Sequence, residues 1–524
     1  MKKFLQNFTK CILLFAALAV VLLYLNSLLD IHNYMGNMTM RRFYKEKEDT
    51  IDVLFLGSSH VFTDVNPAVL WDYQGISSFV LGSSNQAIWE SYYNMVEAFK
   101  TQHPKLVAVE LLRVVGGEEY EATRIPESCY GMKWSKNKID AIRAGVPEDE
   151  FLTYLFAPSV YHGSYAEIKK ENFWPFESKY GEHYKGFWSY FESTDFSQAA
   201  LYDPFLPREE VSLLGKTEEY LKKMIDLAKE EDCEILFFVS PYTGLDEYSA
   251  RYFDAAGRFA KENGVPFIDF NCYRDEIGLN LQCDYAENSH LSASGTDKYT
   301  AYIGNYLSEN YDLPNHYGEE AYESWELNSA EWTRMKQNHA ITKITNMNEY
   351  AEYLAGFGEG YLVVVSMEGM NSIKNQYLAQ ALSSLSIYDS ETETSVGTGK
   401  ETDGAKKWYH SEAPVGDTMY CYSISDGGFW ILEDGAFVWV DESLEPCDSY
   451  YTTGSHSIHI QATVTDREDF EGGRVPSLDR YTKIDGTSNR LSDNGLNFLV
   501  YDKKFDVLVD KVSFDTLNGY MCVR

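Results

Sequence analysis

The sequence predicts an α/β domain, a parallel sheet with helices on both faces, followed by an α+β domain and preceded by one apolar helix. Three observations predict it. Short apolar runs alternate with amphipathic stretches over residues 51–316. Over residues 319–524 the pattern shifts to alternating apolar and polar positions with tight-turn signals. Residues 11–25 are apolar and uncharged, with Lys2, Lys3 and Lys10 ahead of them. A length of 524 residues asks for two to four domains, and 44% hydrophobic residues exclude disorder as the dominant state. Eighty acidic residues against 45 basic ones give a net charge of −35. That excess argues against general nucleic-acid binding and against docking on an anionic membrane surface. Aromatic residues at 15% suit either aromatic-rich cores or contact with sugars and wet interfaces.

Taken in order, residues 1–10 read as a cytoplasmic terminus and residues 11–29 as a single transmembrane anchor. A helix of that length rises about 28 Å, enough to span a bilayer core. No small-x-small cleavage site follows, and the ten residues after Leu29 carry no Lys or Arg, so the bulk is expected outside. Residues 30–50 read as a charged stalk. Strands are expected at 51–56, 79–81, 106–112, 234–239 and 266–270. Helices are expected at 87–99, where Ile88, Tyr92, Met95 and Phe99 share a side, and at 209–231, 252–261 and 295–307. Residues 116–207, rich in Tyr, Trp and Phe, interrupt this rhythm as a long insertion. In the second domain 361–366 reads as a buried strand, and Ile373, Tyr377, Ala381, Leu382 and Leu385 fall at helical spacing. The runs 429–432 and 437–440 flank a turn at Asp434-Gly435, residues 458–464 alternate, and 497–501 and 507–514 read as strands.

The candidate chemistry begins where the first strand ends, in Leu56-Gly57-Ser58-Ser59-His60. Open α/β sheets bind ligands at the carboxyl ends of their strands, so a serine there sits at the rim. A serine hydroxyl needs a base to take its proton. His290 lies in a loop, Asp284 to Leu291, just ahead of the last helix, and an acid three residues before it can orient its imidazole. His60 reads as a packing neighbour, while Glu110 at a strand end is either a cleft residue or an ion-pair partner. Tyr161-His162-Gly163 in the insertion reads as buried packing or as cleft lining. His456 and His459, three apart in a strand, face opposite sides and make no metal pair. Neither HExxH nor an EF-hand loop occurs, and acyl transfer from an ester calls for no cofactor and no metal. The eight cysteines are scattered without CxxC spacing, with one bridge such as Cys272–Cys283 left open.

The blocks Gly57-Ser58-Ser59-His60, Leu81-Gly82-Ser83-Ser84-Asn85-Gln86 and Glu287-x-x-His290 resemble the SGNH/GDSL hydrolases over about residues 52–309. Within that superfamily the chain is most similar to the membrane-anchored cell-envelope branch that includes DltD-like proteins. The resemblance implies a flavodoxin-like three-layer sandwich with Ser59 as nucleophile, His290 as general base and Glu287 as orienting acid. Asp284 is the alternative acid. A backbone N–H at Ser59 and donors near Gly82 and Asn85 would face the oxyanion. The implied activity is that of a membrane-tethered serine esterase or O-acyltransferase on acyl esters of a cell-envelope glycan. The implied partners are that polysaccharide and a multi-pass membrane acyltransferase. Three departures stand out: Ser58 replaces the usual Asp, the acid is Glu, and Val109-Glu110-Leu111-Leu112 lacks the GxND asparagine donor. The missing asparagine and the Glu in place of Asp are the evidence for the alternative, a non-catalytic glycan-binding or assembly protein on the same scaffold. Residues 495–502 with 512–516 resemble an interleukin-like EMT inducer (ILEI)-type domain, in circularly permuted order because 360–366 precede them. That resemblance implies carbohydrate binding; otherwise the domain is an accessory one.

Overall fold

The computed structural model describes residues 2–29, 35–116, 119–155, 159–160, 184–368, 376–389, 394–395, 428–441, 447–453, 456–468, 474–484, 486–488, 491–492, 495–516 and 518–524. The chain divides into two compact units, Met1–Thr333 and Arg334–Arg524. The division falls inside one helix, Glu323–Ile341, rather than in the gap between residues 316 and 319.

In the first unit five strands form one parallel sheet: β1 (Val53–Gly57), β2 (Ser78–Gly82), β3 (Leu106–Glu110), β4 (Glu234–Val239) and β5 (Phe267–Asp269). Their order is β2-β1-β3-β4-β5, so the chain reverses direction across the sheet between β1 and β3. Side chains alternate between two cores, as the pleat requires. Leu54, Leu56, Leu81, Val109 and Phe237 face a cluster shared with helices Ile88–Ala98, Gly215–Glu230 and Glu247–Glu262. Val53, Phe55, Val80, Ala108 and Phe238 face another, shared with Pro67–Gln74 and Ala293–Asn310. Both faces being covered, the strands read as continuous apolar runs. This is the three-layer α/β arrangement expected.

Several boundaries differ for local reasons. The helix expected from 209 begins at Gly215, because Arg258 holds the Val211 carbonyl and Leu213 is buried in an extended segment. The helix expected from 252 begins at Glu247, where the Asp246 side chain caps by accepting from Ser249 N–H. The stalk expected over 30–50 is corrected for residues 35–43. Met35–Phe43 is a helix whose Met40 and Phe43 enter the first core, with Phe43 edge-on to Phe79 at 5.4 Å. The N-terminal segment is one helix, Lys2–Leu29, with Leu14, Phe15 and Val20 exposed, and its uninterrupted apolar run is fifteen residues. Among the described residues no helix is long and apolar enough to cross a membrane. Cys272 and Cys283 are free thiols, which corrects the bridge left open between them.

The second unit contains β6 (Tyr361–Glu368), β7 (Tyr388–Asp389), β8 (Thr394–Ser395), β9 (Gly428–Glu433), β10 (Ala436–Asp441), β11 (Cys447–Thr453), β12 (His456–Glu468), β13 (Arg474–Ile484), β14 (Thr487–Ser488), β15 (Gly495–Asp502), β16 (Val507–Asp515) and β17 (Met521–Val523). One sheet runs β10-β9-β6-β15-β16-β17 and another β11-β12-β13-β14. Helices Met347–Ala355 and Gln376–Ser384 supply Tyr350, Leu354 and Leu382 to a core with Trp430, Phe498 and Phe514. The β9–β10 turn places Asp434 at φ 55° and Gly435 at φ 76°, the left-handed pair that a two-residue hairpin needs.

Candidate active site

The carboxyl ends of β1, β2 and β3 meet at the point where the strand order reverses, and the crevice outside them is where such sheets bind ligands. Gly57 closes β1 at φ +154°, and a Cβ there would lie 2.7 Å from the Glu110 Cβ, so only glycine lets β1 and β3 approach. Ser58 follows in extended conformation and caps the short helix Ser59–Phe62, accepting from His60 N–H at 3.3 Å. Its own hydroxyl donates to Glu110 Oε2 at 2.9 Å. Ser59, next in line, is left facing the crevice.

His290 reaches Ser59 from the other side of the fold. Its loop is a tight reversal: Tyr285 and Leu291 pair in antiparallel fashion, and Ala286 N–H donates to the His290 carbonyl at 3.0 Å. Ser292 then caps the helix Ala293–Asn310. His290 Nε2 stands 2.7 Å from Ser59 Oγ, and His290 Nδ1 is hydrogen-bonded to Glu287 Oε1. A carboxylate only accepts, so Nδ1 carries the proton and the Nε2 lone pair faces the serine hydroxyl. Burial pushes the His290 pKa below its ordinary value, and the Glu287 hydrogen bond and charge offset this only in part. The imidazole is therefore neutral at pH 7, the form that can take a proton.

Asp284 is elsewhere. Its buried carboxylate accepts from Asn280 N–H at 2.6 Å, Ser294 Oγ at 2.6 Å and Lys298 Nζ at 2.5 Å. Burial alone would raise its pKa, but Lys298 and the other donors hold it below the usual carboxylate range. The alternative acid is thus corrected. Asp284 is an anchor for the loop, its carboxylate taken up by these three donors.

Glu110 is neither a cleft residue nor an ion-pair partner as first framed. Its buried carboxyl ties β1 to β3, accepting from Ser58 Oγ and from Leu112 N–H at 2.6 Å, and burial pushes its pKa up to about 7. His60 packs edge-on against His290 at 5.3 Å and Tyr242 at 5.0 Å. Burial, then His290, lowers its pKa to about 3, so it stays neutral. Gly82 lies level with Gly57 across the β1–β2 pair, and Asn85 is exposed with φ 51°. Tyr161, His162 and Gly163 lie outside the described residues. In the second unit His459 bonds Asp448 at 2.5 Å within its own sheet.

Two contributors escaped the sequence reading. Asp64, completely buried, accepts the Leu291 N–H at 3.1 Å and so fixes the backbone beside His290. Burial pushes its pKa well above the usual carboxylate value, against the opposing pull of that N–H and Thr63. Tyr190, from the end of the insertion, stacks on His290 with ring centroids 5.4 Å apart and planes at 27°. No local pattern announces either residue.

Neither a protein-family model nor a curated protein sequence matches the chain. Solved structures similar to it include a candidate acylhydrolase of Bacteroides fragilis, with 12% identity, 51% of this chain and 92% of that chain covered, and a TM-score of 0.26. A candidate lipolytic protein of the G-D-S-L family from Desulfitobacterium hafniense has 13% identity, coverage of 48% and 97%, and a TM-score of 0.25. A GDSL-like lipase from Bacteroides thetaiotaomicron has 13% identity, coverage of 49% and 87%, and a TM-score of 0.23. At such scores these likenesses carry no argument about activity, and the reading rests on the side chains.

Proposed function

We propose that the chain is an SGNH-type serine ester hydrolase whose nucleophile, base and orienting acid are Ser59, His290 and Glu287. The observation that carries this is the continuous hydrogen-bonded relay from Glu287 through His290 to Ser59 Oγ. Ser59 Oγ attacks the acyl carbonyl carbon as its proton passes to His290 Nε2. The carbonyl π pair becomes the oxyanion, faced by the Ser59 N–H and by donors around Gly82 and Asn85. Collapse breaks the bond to the leaving alcohol, which departs with the proton from His290. An incoming water or sugar hydroxyl then gives its proton to His290 and attacks the acyl-serine; collapse breaks the bond from Ser59 Oγ to the acyl carbon as His290 returns a proton to Oγ. Glu287 balances the imidazolium in both halves. Glu110 accepts rather than donates at the end of β3, so the asparagine donor of the family pattern has no substitute there; one such donor is worth about 10²–10³ in rate.

The substrate we propose is an acyl ester of a cell-envelope glycan, with the chain tethered by residues 11–29 and its bulk outside. The exposed apolar side chains of that helix support the tether. A DltD-like place beside a multi-pass acyltransferase, and a carbohydrate-binding ILEI-type second unit, belong to the same proposal. β6 and β15, which hold the segments 360–366 and 495–502 on which that resemblance rests, pair side by side in one sheet. Two tests separate these claims. Full-length protein in detergent should hydrolyse a small acetyl ester, and Ser59→Ala and His290→Ala should each abolish turnover with non-additive losses, since the pair acts as a unit. Total inactivity of the unaltered protein would leave the glycan-binding alternative. Protease added to cells stripped of their wall should remove both units; protection would reverse the topology.

A further inference from the structure

The insertion does more than interrupt the sheet. Its return limb is fixed against β2, where Val80 N–H donates to the Lys185 carbonyl at 2.9 Å. Gly186 follows at φ +85°, and a Cβ there would fall 1.9 Å from the Val80 carbonyl oxygen. The chain then crosses the site with Trp188 and Tyr190. Trp188 N–H donates at 2.8 Å to the carbonyl of Phe62, the last residue of the nucleophile's own helix. The Tyr190 carbonyl accepts at 2.7 Å from Ala293 N–H, three residues after His290. One three-residue segment is thus bonded both to the helix that begins at Ser59 and to the first residue of the helix that follows His290.

Its rings extend outward from the base. Tyr190 stacks on His290, and Trp188 meets Tyr190 edge-on at 4.7 Å and 79°. The two centroid separations cap the distance from Trp188 to His290 at about 10 Å. Trp188 remains 41% exposed although its backbone is tied down. A partly open indole whose backbone is tied down, packed through Tyr190 onto the base, is a surface for a ligand that costs less to order than one on a free loop.

From this we infer that Trp188 is a platform for the sugar ring of a neutral saccharide ester, seated so that the acyl group reaches Ser59. The inference rests on the ester-hydrolase reading and narrows its substrate. Charge and the aromatic face select the class. Glu287 stands half-exposed beside His290, and the chain carries a net charge of −35, so a phosphate or other anionic head group is disfavoured. An open aromatic face suits the C–H face of a pyranose, whose hydroxyls stay in water.

The test uses the full-length protein with methyl 6-O-acetylglucopyranoside, ethyl acetate and ethyl octanoate. Trp188→Ala should lower the ratio of kcat/KM for the sugar ester over ethyl acetate on the order of tenfold, chiefly through KM, with Trp188→Phe restoring most of it. Saturation-transfer NMR with Ser59→Ala should show the sugar ring protons in contact, and Ser59→Ala/Trp188→Ala should lose that signal. A ratio unchanged within twofold, a saturation signal independent of Trp188, or a selective loss on ethyl octanoate would each overturn the platform. Absence of turnover with a Trp188-dependent saturation signal would overturn the hydrolase reading alone and leave the platform standing.

Discussion

Replacing Glu287 by Gln and Asp284 by Asn should separate catalysis from stability in one experiment. Glu287 is half exposed and touches the relay only through His290 Nδ1. Gln at this position can offer its amide nitrogen to Nδ1 and so favour the wrong tautomer, turning Nε2–H toward the serine. The loss where a triad is tight is on the order of 10⁴; with the longer, half-exposed Glu we expect roughly 10²–10³ in kcat, or about 3–4 kcal/mol of barrier. Stability should barely change, because an exposed carboxylate contributes at most about 1 kcal/mol. Asp284 is the reverse case. Its carboxylate is wholly buried and takes donors from Lys298, Ser294 and Asn280, so neutralising it strands a cation and loosens the loop. Breaking a buried pair costs about 3–5 kcal/mol; with the Lys298 side chain 40% exposed, about 2–3 kcal/mol is expected, a fall of several degrees in Tm. Ester hydrolysis per folded molecule and thermal melts on both variants give the comparison. If Asp284→Asn removes activity at unchanged Tm while Glu287→Gln is tolerated, the assignment of the orienting acid is wrong.

Two further outcomes follow from the titrating groups. Since His290 must be neutral to accept the proton and burial lowers its pKa, kcat/KM should fall at acid pH with a midpoint below 6.5. Removing the raising influence of Glu287 in Glu287→Gln should move that midpoint lower still, and a midpoint above 6.5 in the unaltered protein would contradict the reasoning. Glu90 accepts from Ala87 N–H and Ser128 Oγ in full burial, and its pKa is raised to about 8, desolvation outweighing the two donors. Folding therefore favours its protonated form: that stabilisation is complete below the unfolded pKa near 4.5 and is lost as pH rises through about 8. Glu90→Gln should flatten this loss and raise stability at pH 8 by a few kcal/mol at most, read from denaturant midpoints at pH 5 and pH 8. A variant as pH-sensitive as the parent would exclude Glu90 as the source.

The sheet was legible because β1 to β4 are buried on both faces and so read as short apolar runs, with a glycine closing β1 and β2. Ser59, Glu287 and His290 were legible because each sits at a fixed place relative to a strand end or a helix start. Asp64 and Tyr190 were not. They meet the His290 loop across 227 and about 100 positions of sequence, where no periodicity operates, and only the packed fold brings them near. Met35–Phe43 was hidden by its charged surroundings, with Met40 and Phe43 too short an apolar stripe to stand out. The choice between the two acids had a readable signal. Ser294 and Lys298 lie one turn apart on one helix face, a ready set of donors for an acid placed before that helix.

The most direct measurement of the central claim is intact-mass and peptide analysis after exposure to a fluorophosphonate, which reacts with an activated serine. The account predicts one adduct on Ser59, absent in Ser59→Ala and slowed by orders of magnitude in His290→Ala. An unlabelled protein, or a label that lands elsewhere while Ser59 stays unmodified, would contradict it.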